Sequence, residues 1–168
     1  MNLRIILQKR WVKITFEVLF FIVLYLGLRA YTQRDVITGQ APQIRATTFQ
    51  QQNFDLHASK QKPMLVHFWA TWCGICKLEQ DSIAALSKDY NVITIAMQSG
   101  TDQEVQSYLD EHKLNFEVIN DRTGKFVNAY GVRGVPASFI VDSNNHITSS
   151  EVGYTTEWGL RFRMWLAD

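Results

Sequence analysis

The sequence predicts an α/β domain with a mixed sheet, carried behind a single N-terminal membrane-spanning helix. Three observations predict it. Apolar runs of strand length alternate with stretches of helical periodicity from about Phe49 to Leu166. A charge-free apolar run, Val18 to Leu28, follows a basic N-terminus. The two cysteines, Cys73 and Cys76, lie three residues apart where a strand gives way to a helix.

The N-terminal element comes first. Residues 1–13 carry Arg4, Lys9, Arg10 and Lys13 and no acid. The apolar stretch runs from Ile14 to Leu28, with Glu17 near its front and Arg29 at its back. A transmembrane helix needs about 20 residues, and the window Val12–Tyr31 supplies them if the long side chains at its ends snorkel. A cleaved signal peptide would also contain such a run, but Arg29-Ala30-Tyr31-Thr32-Gln33 offers no small-x-small cleavage site. A buried helix of a soluble domain would not normally be apolar on all sides. An uncleaved anchor is the preferred reading. Glu17 counts against it unless it sits at the interface. The basic residues precede the helix, so the N-terminus is expected in the cytoplasm and the rest of the chain beyond the inner membrane. In a Gram-negative cell that space is the oxidising periplasm. The expected divisions are a cytoplasmic tail over 1–13, an anchor over 14–31, a linker over 32–48 and a domain over 49–168.

Within the domain, Met64 to Trp69 reads as a central buried strand. Leu78, Ile83 and Leu86 recur at helical spacing after Cys76. Val92 to Ala96 is a second buried strand. Thr101 and Glu104 form a capping-box signature for a helix reaching about Lys113. A third strand is expected from Asn115 to Ile119 and a short helix from Gly124 to Tyr130. Ala137–Asp142 and His146–Gly153 pair as a hairpin across Ser143-Asn144-Asn145. A closing helix, Thr156–Leu166, carries Trp158, Phe162 and Trp165 on or near one face.

Composition excludes some functions. The net charge of +1 leaves no basic stripe for nucleic acid. Two cysteines closing so small a loop add little stability, so the pair is there to react. Cys73 would sit at a helix N-terminus, where free N–H groups and the macrodipole favour a thiolate. Cys76, one turn in, would resolve the mixed disulfide. A structural zinc would need four ligands, yet His57, His67, His112 and His146 are scattered. No metal site and no cofactor are expected.

Two segments carry a family resemblance. Val66-His67-Phe68-Trp69-Ala70-Thr71-Trp72-Cys73-Gly74-Ile75-Cys76-Lys77 resembles the active-site segment of thioredoxins. Tyr130-Gly131-Val132-Arg133-Gly134-Val135-Pro136 and the strand after it resemble the family's second signature. The strand and helix between Val92 and Ile119 resemble an insertion of the membrane-anchored, TlpA-like branch. Length, anchor and the Cys-Gly-Ile-Cys segment resemble its suppressor-of-copper-sensitivity group. The resemblance implies a thioredoxin-like fold and a thiol-disulfide oxidoreductase. It implies that Pro136 is cis and faces Cys73, and that Val135 pairs its backbone with a bound client strand. Trp69 and Trp72 would flank the site.

Three positions depart from thioredoxin. His67 stands where thioredoxin has a buried acid. It is either a proton carrier for the buried cysteine or a core histidine with a satisfied hydrogen bond. Glu79, three residues past Cys76, is either an active-site acid as in some TlpA-like reductases or a solvated surface residue. Ile75 replaces the common proline and will tune the redox potential. The expected partners are protein thiol or disulfide clients and a transmembrane electron donor, with reduction as the favoured direction. A copper-binding chaperone is the alternative, since thiolates suit Cu(I).

Overall fold

The computed structural model describes residues 3–33, 36–61 and 63–167. The chain divides into two compact units, residues 1–34 and 35–168. The first is one helix, α1 (Leu3–Gln33), about 46 Å long at 1.5 Å per residue. Phe20, Phe21, Ile22, Val23 and Leu24 are all exposed along it, so it is apolar on every side over residues 18–27. Lys13 pairs with Glu17 one turn later. Side chains of 1–10, 28–30 and 32–35, and with them Arg4, Lys9, Arg10 and Arg29, lie outside the described residues. Among the described residues, no helix is both long and apolar enough to cross a membrane.

The second unit is built on a six-stranded sheet. Its strands are β1 (Gly39–Gln40), β4 (Met64–Trp69), β5 (Asn91–Met97), β6 (Glu117–Asp121), β7 (Ala137–Val141) and β8 (His146–Val152). They lie in the order β1-β8-β7-β4-β5-β6. A separate hairpin, β2 (Arg45–Thr47) and β3 (Asn53–Asp55), packs beside the sheet. The helices are α2 (Gly74–Leu86), α3 (Asp102–Glu111), α4 (Lys125–Ala129) and α5 (Glu157–Leu166). β4, β5 and β6 run parallel, while β7 and β8 pair antiparallel. The sheet is therefore mixed, and the fold is thioredoxin-like.

The period-2 alternation of the strands makes two cores. Leu65, Trp69, Ala96, Val118 and Ile140 meet Ile83 and Leu86 of α2, Leu109 of α3 and Leu160 of α5. Val66, Phe68, Ile95 and Phe139 face the other way, onto Ile44, Leu56, Phe126 and Tyr130. β4 is covered on both faces, which is why all six of its residues are buried. The Thr101–Glu104 capping box starts α3. At α4 the cap comes from the strand instead. Asp121 accepts from the N–H groups of Phe126 and Val127, while Gly124 turns the chain at φ +74°. The β7–β8 turn is held by Asp142, whose carboxylate accepts from Asn144 and His146.

One expectation changes. Residues 36–48, read as linker, are part of the packed unit. β1 adds to the edge of β8, Ala41 and Ile44 are fully buried, and the Tyr130 hydroxyl donates to the Pro42 carbonyl. A two-residue strand is too short to leave a periodic signal. The closing helix buries the stripe opposite its aromatic one. Leu160 and Met164 point inward, whereas Trp158, Phe162 and Trp165 are 81%, 59% and 66% exposed. Two ion pairs flank the buried stripe: Arg161 with Asp89, and Arg163 with Glu151. Each guanidinium anchors one flank of the Leu160–Met164 stripe. Leu160→Ala should therefore destabilise the protein by about 2–5 kcal/mol, and Trp165→Ala by less than about 0.5 kcal/mol, in denaturant titrations. A larger cost at Trp165 would reverse the assignment.

Candidate active site

The site forms where β4 runs into α2. Cys73 is the N-cap of α2, in extended conformation (φ −88°, ψ 109°). A short loop sets it there. The Thr71 N–H donates to Ser99 Oγ at 3.1 Å, and the Cys73 N–H donates to the Ala70 carbonyl at 3.2 Å. Cys73 and Cys76 are joined as a disulfide across a Cα–Cα distance of 5.3 Å. The Cys76 N–H donates to Cys73 Sγ at 3.1 Å. An N-cap side chain normally accepts from the first turn in this way, with oxygen as the acceptor. Here sulfur takes that place, so the helix end that would cap on an oxygen is aimed at a thiolate when the bond is reduced.

The second wall is the connection into β7. The Val135–Pro136 peptide is cis. The Val135 carbonyl oxygen stands 3.4 Å from Cys73 Sγ. Two signatures some sixty residues apart thus meet at one sulfur. Trp72 lies on the rim, 62% exposed, with its indole N–H donating to the Gln98 carbonyl. Ile75 and Leu78 continue this apolar rim along α2, both largely exposed. Trp69 is not on the rim. It is buried beneath the cysteines, packed against Tyr108 and Phe116.

Glu79 is fully buried on the inward face of α2, the face that also holds Cys76. A solvated surface position is therefore ruled out. Both carboxylate oxygens lack a hydrogen-bond partner among the described residues. Desolvation pushes the carboxyl up from 4.5 to about 7, and the nearby Thr155 backbone offsets only part of that. His67 is also buried, and its Nδ1 shares a 2.9 Å hydrogen bond with Ser138 Oγ. Burial pushes its imidazole down to about 3, so it is neutral near pH 7, a core histidine with a hydrogen-bond partner. Ser138 was not singled out in the sequence. Its inward parity in β7 was the available signal.

Among the described residues, no group of three or more His, Cys, Asp or Glu is arranged to hold a metal ion. The arrangement offers a nucleophilic sulfur at a helix end, a second sulfur within bonding reach, a backbone edge beside the first, and a carboxyl able to hold a proton near neutral pH.

Comparison with known proteins agrees with this geometry. A match to the Redoxin family spans residues 38–160. A thioredoxin-like protein of Haemophilus influenzae is 30% identical over 140 residues, covering 82% of this chain and 83% of its own. The thiol-disulfide oxidoreductase ResA of Bacillus anthracis is 29% identical over 138 residues, covering 80% of each. Among solved structures, a putative thiol:disulfide interchange protein DsbE from Chlorobium tepidum superposes with a TM-score of 0.69 at 22% identity, over 79% of this chain and 98% of that one.

The buried carboxyl makes stability depend on pH. Below pH 4.5 it is protonated in both folded and unfolded chains. As pH rises from 4.5 through about 7 the unfolded chain releases the proton first, so stability is lost over that window. The oxidised Glu79→Gln variant should be more stable than the parent at pH 8 by about 1–3 kcal/mol, with the gap closing towards pH 4.5. Denaturant midpoints at the two pH values measure this. An equal gap at both would show that Glu79 is not the titrating group. The family match, the relative's identity and the two signatures meeting at Cys73 lead to one assignment: the chain belongs to the Redoxin family.

Proposed function

We propose that this thiol-disulfide oxidoreductase exchanges disulfides with protein clients in the reducing direction, from the periplasmic face of the inner membrane to which residues 14–31 anchor it. The observation that carries the exchange reading is the Cys76 N–H on Cys73 Sγ beside the open Val135 edge. The reduced protein presents Cys73 as thiolate and Cys76 as thiol. Cys73 attacks one sulfur of the client disulfide, and the client's other sulfur leaves as a thiolate. Cys76 then loses its proton and attacks Cys73 Sγ, which expels the client's remaining sulfur. The protein ends as the disulfide and the client as two thiols, a transfer of two electrons.

Glu79 suits the second step. It lies on the Cys76 face of α2 and holds its proton near neutral pH. As carboxylate it accepts the Cys76 proton when Cys76 attacks. The client approaches over Trp72, Ile75 and Leu78 and pairs its backbone at Val135. Relatives named thiol-disulfide oxidoreductases support the same chemistry.

The anchor reading rests on α1. Its all-apolar stretch, residues 18–27, is shorter than a span by itself, and Val12, Ile14, Phe16 and Leu28 extend it within the window Val12–Tyr31 if the end residues snorkel. Glu17, the residue that weighs against a span, is paired with Lys13 towards the N-terminal end. With Arg4, Lys9, Arg10 and Lys13 ahead of the apolar part of the helix, the domain falls on the non-cytoplasmic side. A transmembrane donor would then return electrons to the disulfide.

Cells producing Cys76→Ser should yield the protein in the membrane fraction as reductant-sensitive mixed disulfides with partner proteins. The Cys73→Ser variant should yield none. Recovery in the soluble fraction would remove the anchor, and absence of linked partners would remove the exchange. The direction is tested by the reduction potential of the full chain in detergent. A value near that of thioredoxin, about −270 mV, is expected, and one near about −120 mV would mark an oxidant instead.

A further inference from the structure

The exchange steps above give His67 no role. Its surroundings supply one. The backbone ladder between β4 and β7 runs from Met64↔Val141 to Phe68↔Ala137 and stops there. The next residue on β7 is Pro136, which has no N–H to extend the ladder. Beyond that point β4 continues to Cys73, and β7 leads back to Val135. The separation of the attacking sulfur from the client-pairing backbone is thus set past the end of the regular hydrogen bonding.

His67 and Ser138 are a register pair one step inside that end. Both face the α2 side of the sheet, and both are nearly fully buried, at 3% and 5% exposure. Their 2.9 Å hydrogen bond is a side-chain tie between the two strands. Either the Ser138 hydroxyl donates to a bare Nδ1, or an Nδ1–H donates to Ser138 Oγ. On the far side of β4, the register neighbour Thr94 is engaged elsewhere, since its hydroxyl donates to the Glu117 carbonyl. The imidazole tie therefore runs towards β7. An apolar pair would fill the same space but would tolerate sliding and rotation. A buried polar pair accepts one geometry, because any other leaves a donor or acceptor without a partner.

We propose that His67 and Ser138 are positioning residues for client binding, their hydrogen bond holding the Val135 backbone at its working distance from Cys73. This rests on the exchange reading. It assigns His67 to the geometry of recognition and leaves the proton to Glu79.

The test uses two mixed disulfides of thionitrobenzoate and the reduced full chain in detergent. One reagent is on the cysteine of an extended hexapeptide, the other on N-acetylcysteine methylamide. Cys73 attacks the peptide or amino-acid sulfur and releases coloured thionitrobenzoate. Cys76 then displaces the bound thiol and closes the protein disulfide. The ratio of the two rates reads the contribution of backbone pairing. Ser138→Ala and His67→Leu should each lower that ratio about 3- to 10-fold, and together by no more than either alone. Ser138→Thr, which keeps the hydroxyl, should restore it. The pH midpoint of the reaction with the single-residue reagent should stay where it is in the parent. An unchanged ratio in Ser138→Ala would overturn the proposal. A shifted midpoint in His67→Leu would make the imidazole a proton carrier and overturn it as well. Failure of the parent to react with either reagent would count against the exchange reading itself.

Discussion

The Cys76 N–H points at the Cys73 sulfur because α2 begins one residue after Cys73, and the chemistry of the site depends on that start. A helix beginning elsewhere would leave the first sulfur without its donor. A helix beginning later would also take the two sulfurs out of bonding reach, since the 5.3 Å Cα–Cα distance belongs to the first turn of this helix. The start is held from outside the helix by Ser99, which takes the Thr71 N–H, and by Ala70, which takes that of Cys73. The loop after β5 thus helps to fix a sulfur that β4 delivers. This is one reason for the central place of β4 in the sheet, with a parallel neighbour on one side and an antiparallel one on the other.

The same helix buries a carboxyl without a hydrogen bond. A carboxylate in that position costs several kcal/mol unless it is protonated or solvated. A fold does not gain stability from such a group at pH 8, and in the proposed exchange the group serves as proton acceptor. Thioredoxin, by resemblance, places its buried acid on the strand. In this chain the strand position is His67, held neutral, and the acid stands on α2 at Glu79. In the proposed exchange Glu79 takes the proton, while His67 bonds Ser138 of β7 across the strand pair.

Much of this was legible in the sequence, for identifiable reasons. The cysteine pair, the buried run Met64–Trp69, the Thr101–Glu104 cap and the Asp142–Asn145 turn are local patterns, each set by residues within a few positions of one another. The meeting of Val135 with Cys73 came only through family resemblance, because no local rule joins residues sixty positions apart. Glu79 could not be placed from spacing alone. Position i+3 puts it on the Cys76 side of α2, but whether that side is covered depends on α5 and the Thr155 connection. The inward face of α5 was open for a related reason. Trp158, Phe162 and Trp165 form a stripe as regular as Leu160 and Met164, and the apolar groups of other elements that meet Leu160 and Met164 decided between them.

The sequence by itself determined the reactive pair, the alternation of strands and helices, and the apolar helix at the front, because each is written in short-range periodicity, capping chemistry or cysteine spacing. Tertiary structure decided which polar groups lost their water. That put Glu79 into an apolar wall, gave His67 its bond to Ser138, drew residues 36–48 onto the sheet and left the aromatic stripe of α5 exposed. These outcomes depend on long-range packing: a side chain's environment is made by neighbours that arrive from distant parts of the chain, and desolvation by those neighbours moves a carboxyl from 4.5 to about 7.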